Sequence, residues 1–275
     1  MMISPILEFK DATIRFGGLT AVAPLSFAIP RGQLAAIIGP NGAGKTTVFN
    51  LITGVYSPTG GEIWVEGERV ASAGKSLKPH QLVRRGVART FQNIRLFGDL
   101  SVEDNVRAAF ASRAGYGLFD SLLQNSKMSR QESWIEEETA KLLEIFGLSA
   151  RRDEISRNLP YGDQRRLEIA RATATQPKIL LLDEPTSGMN PSETDAVTQT
   201  IRLVREQLDI TVLLIEHHMS LVMSICERVI VLDGGVKIAD DVPTAIQNNP
   251  HVIAAYLGES DPQLDEAIAG GHALE

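Results

Sequence analysis

Leu34-Ala35-Ala36-Ile37-Ile38-Gly39-Pro40-Asn41-Gly42-Ala43-Gly44-Lys45-Thr46-Thr47 is the segment from which the architecture can be worked out. Five apolar residues in a row suit a strand buried on both faces. A glycine-rich turn follows at once: Gly39 to Thr46 satisfies G-x-x-x-x-G-K-[ST], and Val48 to Ile52 continues as an apolar helix. Strand, loop and helix in that order form a phosphate cradle. Successive backbone N–H groups of Gly39, Pro40, Asn41, Gly42, Ala43 and Gly44 (proline excepted) wrap β- and γ-phosphates, and the glycines let the chain curl that tightly. Lys45 brings a point charge to those phosphates, Thr46 offers a hydroxyl to Mg²⁺, and Thr47 approaches the α-phosphate.

Further apolar strands point the same way. Ile179-Leu180-Leu181-Leu182 runs into Asp183-Glu184, and Thr211-Val212-Leu213-Leu214-Ile215 runs into Glu216-His217-His218. Val229 to Leu232 is a third, and helical stretches at about 191–207 and 217–226 separate them. This alternation implies a parallel sheet with helices on its faces. Ligands bind beyond the carboxyl ends of such strands, which sets Asp183 and Glu184 beside the phosphates. One carboxylate can hold Mg²⁺ through water, and the next, facing the other side, can orient and deprotonate an attacking water. His217 reads as a γ-phosphate contact over the alternative of a structural histidine. In Phe91-Gln92-Asn93, Gln92 can reach Mg²⁺ or the attacking water. No Asn-Lys-x-Asp pattern is present, which disfavours a small GTPase.

Around this core, Ile6–Lys10 and Ala12–Phe16 partly alternate on either side of Asp11, and Ser26–Ile29 and Glu62–Val65 read as further strands. Ser101-Val102-Glu103-Asp104 fits a capping box. Trp134, Ile135, Leu142, Leu143 and Phe146 recur at helical spacing, Gly147 is a stop, and Glu132, Glu136, Glu137 and Glu138 fall where a helix dipole favours acids. Residues 112–130 read as a connecting loop, and the acidic Gly/Ala-rich tail after Gly258 as poorly ordered. Composition sets outer bounds. The chain has 275 residues, 22% of them charged, with a formal net charge of −7. That size allows one large domain or two small ones, and the acidic balance does not suit non-specific nucleic-acid binding. A single cysteine, Cys226, forms no internal disulfide, no apolar run approaches the ~18–20 residues of a membrane span, and the start lacks a signal-peptide pattern. The expectation is a cytosolic protein with no membrane segment of its own.

Taken together, these residues resemble the ATP-binding cassette (ABC) ATPases over about 6–258. The family's elements occur in order: the P-loop, a Q-loop glutamine at Gln92, a signature segment, the Asp183-Glu184 pair and a switch histidine at His217. Against the usual L-S-G-G-Q the signature reads Pro160-Tyr161-Gly162-Asp163-Gln164, with a helix starting near Asp163 and with Gly162 and Gln164 unchanged. Asn190 stands where an aspartate is usual, His218 follows the switch histidine where an aspartate is common and reads as structural, and Phe16 holds the place of an aromatic that stacks on adenine. The resemblance implies an α/β P-loop NTPase: a RecA-like parallel core, an N-terminal antiparallel β-subdomain (about 6–92 with the P-loop), an inserted α-helical subdomain (about 93–176) and the rest of the core at 177–258. It implies ATP and Mg²⁺ as ligands. Lys45, Gln92, Glu184 and His217 would be the catalytic set, Thr46, Gln92 and Asp183 the metal ligands, and Tyr161, Gly162, Asp163 and Gln164 the signature's contacts to nucleotide held by a second subunit.

A narrower resemblance lies in Y-G-D-Q-R-R-L-E-I-A-R, N-I-R-L-F-G-D-L-S-V-E-D-N-V, Gly117–Leu123 and Asn249–Gly258, which are similar to the ATPases of branched-chain amino acid importers. That family implies a second, non-identical ATPase, two membrane permeases, a soluble binding protein and a place on the cytoplasmic face of the membrane. DNA-repair relatives carry long coiled-coil insertions and ribosome-acting ones two cassettes, and neither pattern is present. Another cargo, such as urea or a lipid, stays open, because the permease and binding protein read the cargo.

Overall fold

The computed structural model describes residues 5–114 and 126–257. The chain opens with β1 (Leu7–Phe16) and β2 (Leu19–Ile29), then β3 (Leu34–Ile38), the phosphate-loop turn and α1 (Lys45–Ile52). Next come β4 (Gly60–Val65), β5 (Glu68–Ser72), β6 (Lys75–Ser76), α2 (Pro79–Arg84) and β7 (Val87–Arg89). A helical stretch holds α3 (Val102–Ala114), α4 (Ser126–Ile145) and α5 (Tyr161–Ala174). The chain then alternates through β8 (Ile179–Asp183), α6 (Pro191–Leu208), β9 (Thr211–Ile215), α7 (Met219–Ile225), β10 (Arg228–Asp233), β11 (Val236–Asp241), α8 (Pro243–Gln247) and α9 (Pro250–Leu257).

Two sheets result. The larger runs β11-β10-β3-β9-β8-β7, parallel throughout except for β11, which pairs antiparallel with β10 at the edge. The smaller, β2-β1-β4-β5-β6, is antiparallel. All five residues of β3, β8 and β9 are buried, as their apolar runs require. Alternation along β3 divides the core. Leu34, Ala36 and Ile38 pack with Val106, Phe110, Leu167 and Val197 on the helical side. Ala35 and Ile37 pack with Phe9, Phe27, Ile63 and Phe49 on the side of α1 and the small sheet. The molecule is thus three layers, with the parallel sheet in the middle.

Several expectations change in detail. Asp11 does not break a strand. It sits at a bulge within β1, at φ 49, where the register with β2 slips between Phe9 and Ala12. Ser26 Oγ holds that bulge by accepting from Asp11 N at 2.9 Å and donating to Asp11 Oδ1 at 2.8 Å. The loop expected over 112–130 is narrower: α3 continues to Ala114 and α4 begins at Ser126. Because α4 starts that early, Glu136, Glu137 and Glu138 lie mid-helix, beyond the first turn where a dipole effect acts. Ser101 caps α3 as expected, accepting from Asp104 N at 3.0 Å, but Asp104 answers through the Ser101 hydroxyl rather than its backbone N–H. The stretch 117–123 and the tail after Leu257 lie outside the described residues.

One buried polar side chain organises the segment leading into α3. Asn105 Oδ1 accepts from Phe97 N at 2.9 Å, and Nδ2 donates to Phe97 O at 3.1 Å and Ser101 O at 2.9 Å. Truncating it leaves Phe97 N without its acceptor and removes the two bonds to Phe97 O and Ser101 O. Asn105→Ala should therefore cost about 2–3 kcal/mol of unfolding free energy in urea titrations.

Candidate functional site

The carboxyl ends of β3, β8 and β9 lie side by side, since Ile37 pairs with Ile215 and Asp183 pairs with Ile215 across the parallel ladders. Chain reversal beyond Ile38 therefore sets the phosphate loop next to Glu184 and His217. These residues, with Phe16, line one cavity of about 470 Å³ that takes in Asn41 through Thr47. Two glycines are there for space as well as for backbone angle. A Cβ on Gly39 (φ +147) would lie 1.9 Å from Leu232 O, and one on Gly44 (φ +98) would lie 2.7 Å from Ala21 O. The loop is pressed against β10 and β2, and no larger residue fits. Gly44 also begins α1 with no side-chain cap, leaving the first N–H groups of that helix for an anion. Lys45 is buried, and its Nζ donates to Gly39 O at 2.6 Å and Pro40 O at 2.8 Å, which holds the charge over the loop. Thr46 is exposed to the cavity.

The paired acids are handled differently. Asp183 ends β8 and Glu184 follows at φ 47, a left-handed turn that sends neighbouring carboxylates to different partners. Asp183 Oδ2 accepts from Arg89 at 2.7 Å, with both side chains 7% exposed. Arg89 also donates to Asn50 Oδ1 at 2.7 Å and packs against the rings of Phe49 and Phe91. The sequence gives no sign of this partner beyond an arginine near Gln92. Glu184 lies between an amide and an imidazole: Gln92 Nε2 donates to Oε2 at 2.8 Å, and His217 Nε2 lies 2.6 Å from Oε1. Gln92, Glu184 and His217, far apart in sequence, are thus brought into direct contact. Thr46, the Gln92 carbonyl oxygen and the Asp183 oxygen not used by Arg89 are oxygen donors of the kind a hard cation takes.

A second buried acid escaped the sequence reading. Glu216 Oε1 accepts from Thr186 N at 3.0 Å and Thr186 Oγ1 at 2.5 Å, and its Oε2 accepts from His217 N at 2.8 Å. His218 Nδ1 lies 2.8 Å from Thr186 Oγ1, so His218 is structural, as expected, and ties the turn after β8 to the end of β9. Its only sequence signal is an acid directly continuing a core strand. Asn190 caps α6, accepting from Glu193 N at 3.0 Å, while Glu193 accepts from Asn190 N at 3.1 Å. An asparagine serves there as well as the usual aspartate.

The signature segment differs most from expectation. Its helix, α5, begins at Tyr161 rather than near Asp163, with Pro160 at the N-cap and no side-chain cap. A signature serine belongs at an N-cap. Counted from buried Leu159, the five-residue motif is therefore Leu159-Pro160-Tyr161-Gly162-Asp163, one residue earlier, with Tyr161 in place of the first glycine. Asp163 and Gln164 do not face outward. Asp163 pairs with Arg166 and, at 3.2 Å, with Arg151, and Gln164 Nε2 donates to Leu159 O at 2.9 Å. Binding the Asp163 charge to two arginines removes it from the helix terminus. What remains outward is Tyr161, 42% exposed, whose hydroxyl donates to Ser187 O at 3.3 Å. None of these residues lines the phosphate-loop cavity. Phe16 does, and at 45% exposure with its ring edge against Tyr56 (centroids 5.1 Å apart) it is not a core strand residue.

Comparisons with known proteins identify the family. The ABC transporter family pattern matches residues 22–187, and the pattern of the branched-chain amino acid ATP-binding cassette transporter matches 236–262. The chain is 44% identical to the high-affinity branched-chain amino acid transport ATP-binding protein BraF of Pseudomonas aeruginosa, over 94% of this chain and all of that one. LivG of Escherichia coli, described in the same words, gives the same figures. The lipopolysaccharide export ATP-binding protein LptB of Escherichia coli is 32% identical over 92% of this chain and 97% of its own. Among solved structures, an ATP-binding cassette of an ABC transporter in its ADP conformation superposes with a TM-score of 0.78 at 27% identity, covering 93% of this chain and 99% of that one. Replacing Lys45 with Ala should lower nucleotide affinity by about a hundredfold, read by titration with a fluorescent ATP analogue, since a charge-assisted contact to phosphate is lost. Affinity unchanged from the native protein would remove the phosphate-loop assignment.

Proposed function

Because this chain belongs to the ABC transporter family, we propose that it is the ATP-hydrolysing subunit of an importer whose cargo is the branched-chain amino acids leucine, isoleucine and valine. Its membership makes it an ATP-binding ATPase. Support for the cargo comes from the match of residues 236–262 to the branched-chain subfamily together with 44% identity along 94% of the chain. The 32% likeness to a lipopolysaccharide exporter subunit favours a second reading, in which the same engine serves another solute. Reconstitution with the membrane partners that co-purify separates the two. Leucine, isoleucine or valine, presented through the binding protein, should raise ATPase activity severalfold over the unstimulated complex. A flat response to all three removes the branched-chain cargo and leaves the ATPase intact.

Hydrolysis transfers the γ-phosphoryl group to water: an oxygen–phosphorus bond forms to the water, the bond to the β-phosphate oxygen breaks, and the water's proton passes to a base. Little covalent chemistry falls to the protein, so positioning and charge dominate. In this reading Glu184 is the base, and Gln92 and His217, already in contact with its two oxygens, hold it toward the water. Lys45 and the loop amides neutralise the phosphates. Thr46, Gln92 and Asp183 would hold Mg²⁺, which supplies further charge neutralisation when bound. Among the described residues no cluster of three His, Cys, Asp or Glu side chains could bind a metal alone. Mg²⁺ takes one or two carboxylates and completes its shell with substrate phosphates and water. Phe16 stacks on adenine.

The open N-terminus of α5 and the outward Tyr161, lying outside the chain's own cavity, support head-to-tail pairing with a second ATPase subunit across two nucleotides. No helix among the described residues is long and apolar enough to cross a membrane. We take residues 6–258 as one cassette working peripherally at the cytoplasmic face, beneath two permeases and without nucleic acid. Glu184→Gln keeps the shape of the side chain between Gln92 and His217 but cannot accept the proton. It should bind ATP with near-native affinity while turnover falls by about a thousandfold. Single-turnover measurement with radiolabelled ATP reads this directly, and near-normal turnover would overturn the base assignment.

A further inference from the structure

Arg165 is the largest fully buried side chain among the described residues, at 0% exposure, and hydrolysis as described makes no use of it. Burying a guanidinium costs several kcal/mol unless its donors are met, so its partners say what it is for. One terminal nitrogen donates to Phe91 O and to Glu168 Oε2 at 2.7 and 2.8 Å, and the other donates to Gln92 O at 2.7 Å. Glu168 in turn accepts from Arg95 N at 3.1 Å through its other oxygen. Burial raises the Glu168 carboxyl from its ordinary range, against the opposing pull of Arg165 and backbone N–H groups. Two side chains one turn apart on α5 thus grip three backbone groups between Phe91 and Arg95. Arg171, one further turn along, donates to Arg95 O, and Arg95 lies over the Phe91 ring at 4.2 Å.

Helix α5 also carries the signature at its N-terminus, with Arg165 one turn in from Tyr161. We propose that Arg165, with Glu168, is a positioning residue for Gln92: the buried pair fastens the Q-loop backbone to the signature helix, so that the glutamine touching Glu184 and the helix end presented to the second subunit move as one body. This rests on the reading of Gln92 and Glu184 given above. The energetics favour a positional role over a stabilising one, because a buried ion pair adds little net stability compared with a packed apolar pair. A planar guanidinium, by contrast, fixes two successive carbonyls in a plane, which lysine cannot do.

The test uses the double variant Arg165→Met/Glu168→Met, which removes both charges together and leaves neither buried alone. It should fold, with ATP-analogue affinity within about twofold of native because the phosphate loop is untouched. Its kcat should fall about tenfold or more, through loss of catalytic geometry. Adding Gln92→Ala to it should lower kcat no further than Gln92→Ala alone. Losses that multiply would show that the pair acts independently of Gln92 and would overturn the proposal. A second measurement stands apart from catalysis. Cys226 is buried, and burial pushes its thiol pKa up, so spin labels at Asn93→Cys and Ala172→Cys report alone. The Asn93–Ala172 distance should be narrow and unchanged by nucleotide in the native background, and broad in the double variant. Equal distributions in the two backgrounds would overturn the clasp. If Gln92→Ala itself leaves kcat unchanged, the catalytic reading of Gln92 fails, and the distances alone decide whether the clasp exists.

Discussion

Everything at the site depends on the parallel hydrogen-bond ladder between β3, β9 and β8. These strands are buried on both faces, so their backbone groups have no water to turn to and must pair with one another over their full length. That requirement fixes register: Ile37 with Ile215, and Asp183 with Ile215. Once these three residues share a row, Gly39, Glu184 and His217 emerge within one or two residues of a common level. The convergence of glycine loop, acid and imidazole is thus a consequence of backbone satisfaction in a dry sheet. A one-residue slip of any strand would turn its core face to the wrong layer and carry Gly39, Glu184 or His217 away from the others.

Charge within the site is partitioned by geometry. Asp183 is already paired with Arg89, which is itself tied to α1 through Asn50. Glu184, one residue later, contacts an amide and an imidazole instead. The guanidinium occupies one oxygen of Asp183, whereas both oxygens of Glu184 face groups that reach it from other parts of the chain. The left-handed backbone at Glu184 is what separates the two environments. Strain of that kind persists only where the surroundings enforce it, and here Glu184 N donates to Ile215 O at 2.9 Å.

How much of this could be read from sequence follows from where side chains alone dictate structure. The core strands were legible because burial on two faces demands continuous apolar runs, and the phosphate loop because Gly39 and Gly44 leave no room for a Cβ. The strands β5, β6, β7 and β11 were not. They are short or lie at edges, and residues such as Glu68, Lys75, Arg89 and Lys237 interrupt any apolar period. Arg89, Arg165 and Glu216 were illegible for another reason. Charged residues are ordinarily solvated, and only the fold shows that each is buried against a partner distant in sequence. The start of α5 was misplaced by the choice of motif register, since a proline at an N-cap gives no capping signal.

The departures from the family pattern form a connected set. Pro160 leaves the α5 terminus without a side-chain cap, and Tyr161 beside it donates to Ser187 in the turn after β8. That turn is held from its other side by Thr186 on Glu216 and His218, and it ends in Asn190, which caps α6. A signature with two glycines could not reach this turn, because it has no side chain to extend. Tyrosine can, and it costs little where the ring faces solvent. The substituted residues therefore join the signature helix, the turn after β8 and the end of β9 in one chain. Through Arg165 the same helix reaches the Q-loop. The N-terminus of α5 has no side-chain cap of its own, so its position is set by what the rest of the helix and Tyr161 hold. Buried Arg165 and Tyr161 fix that helix to the segment around Gln92 and to the turn after β8, and the Thr186-Glu216 pair fixes the turn to the end of β9.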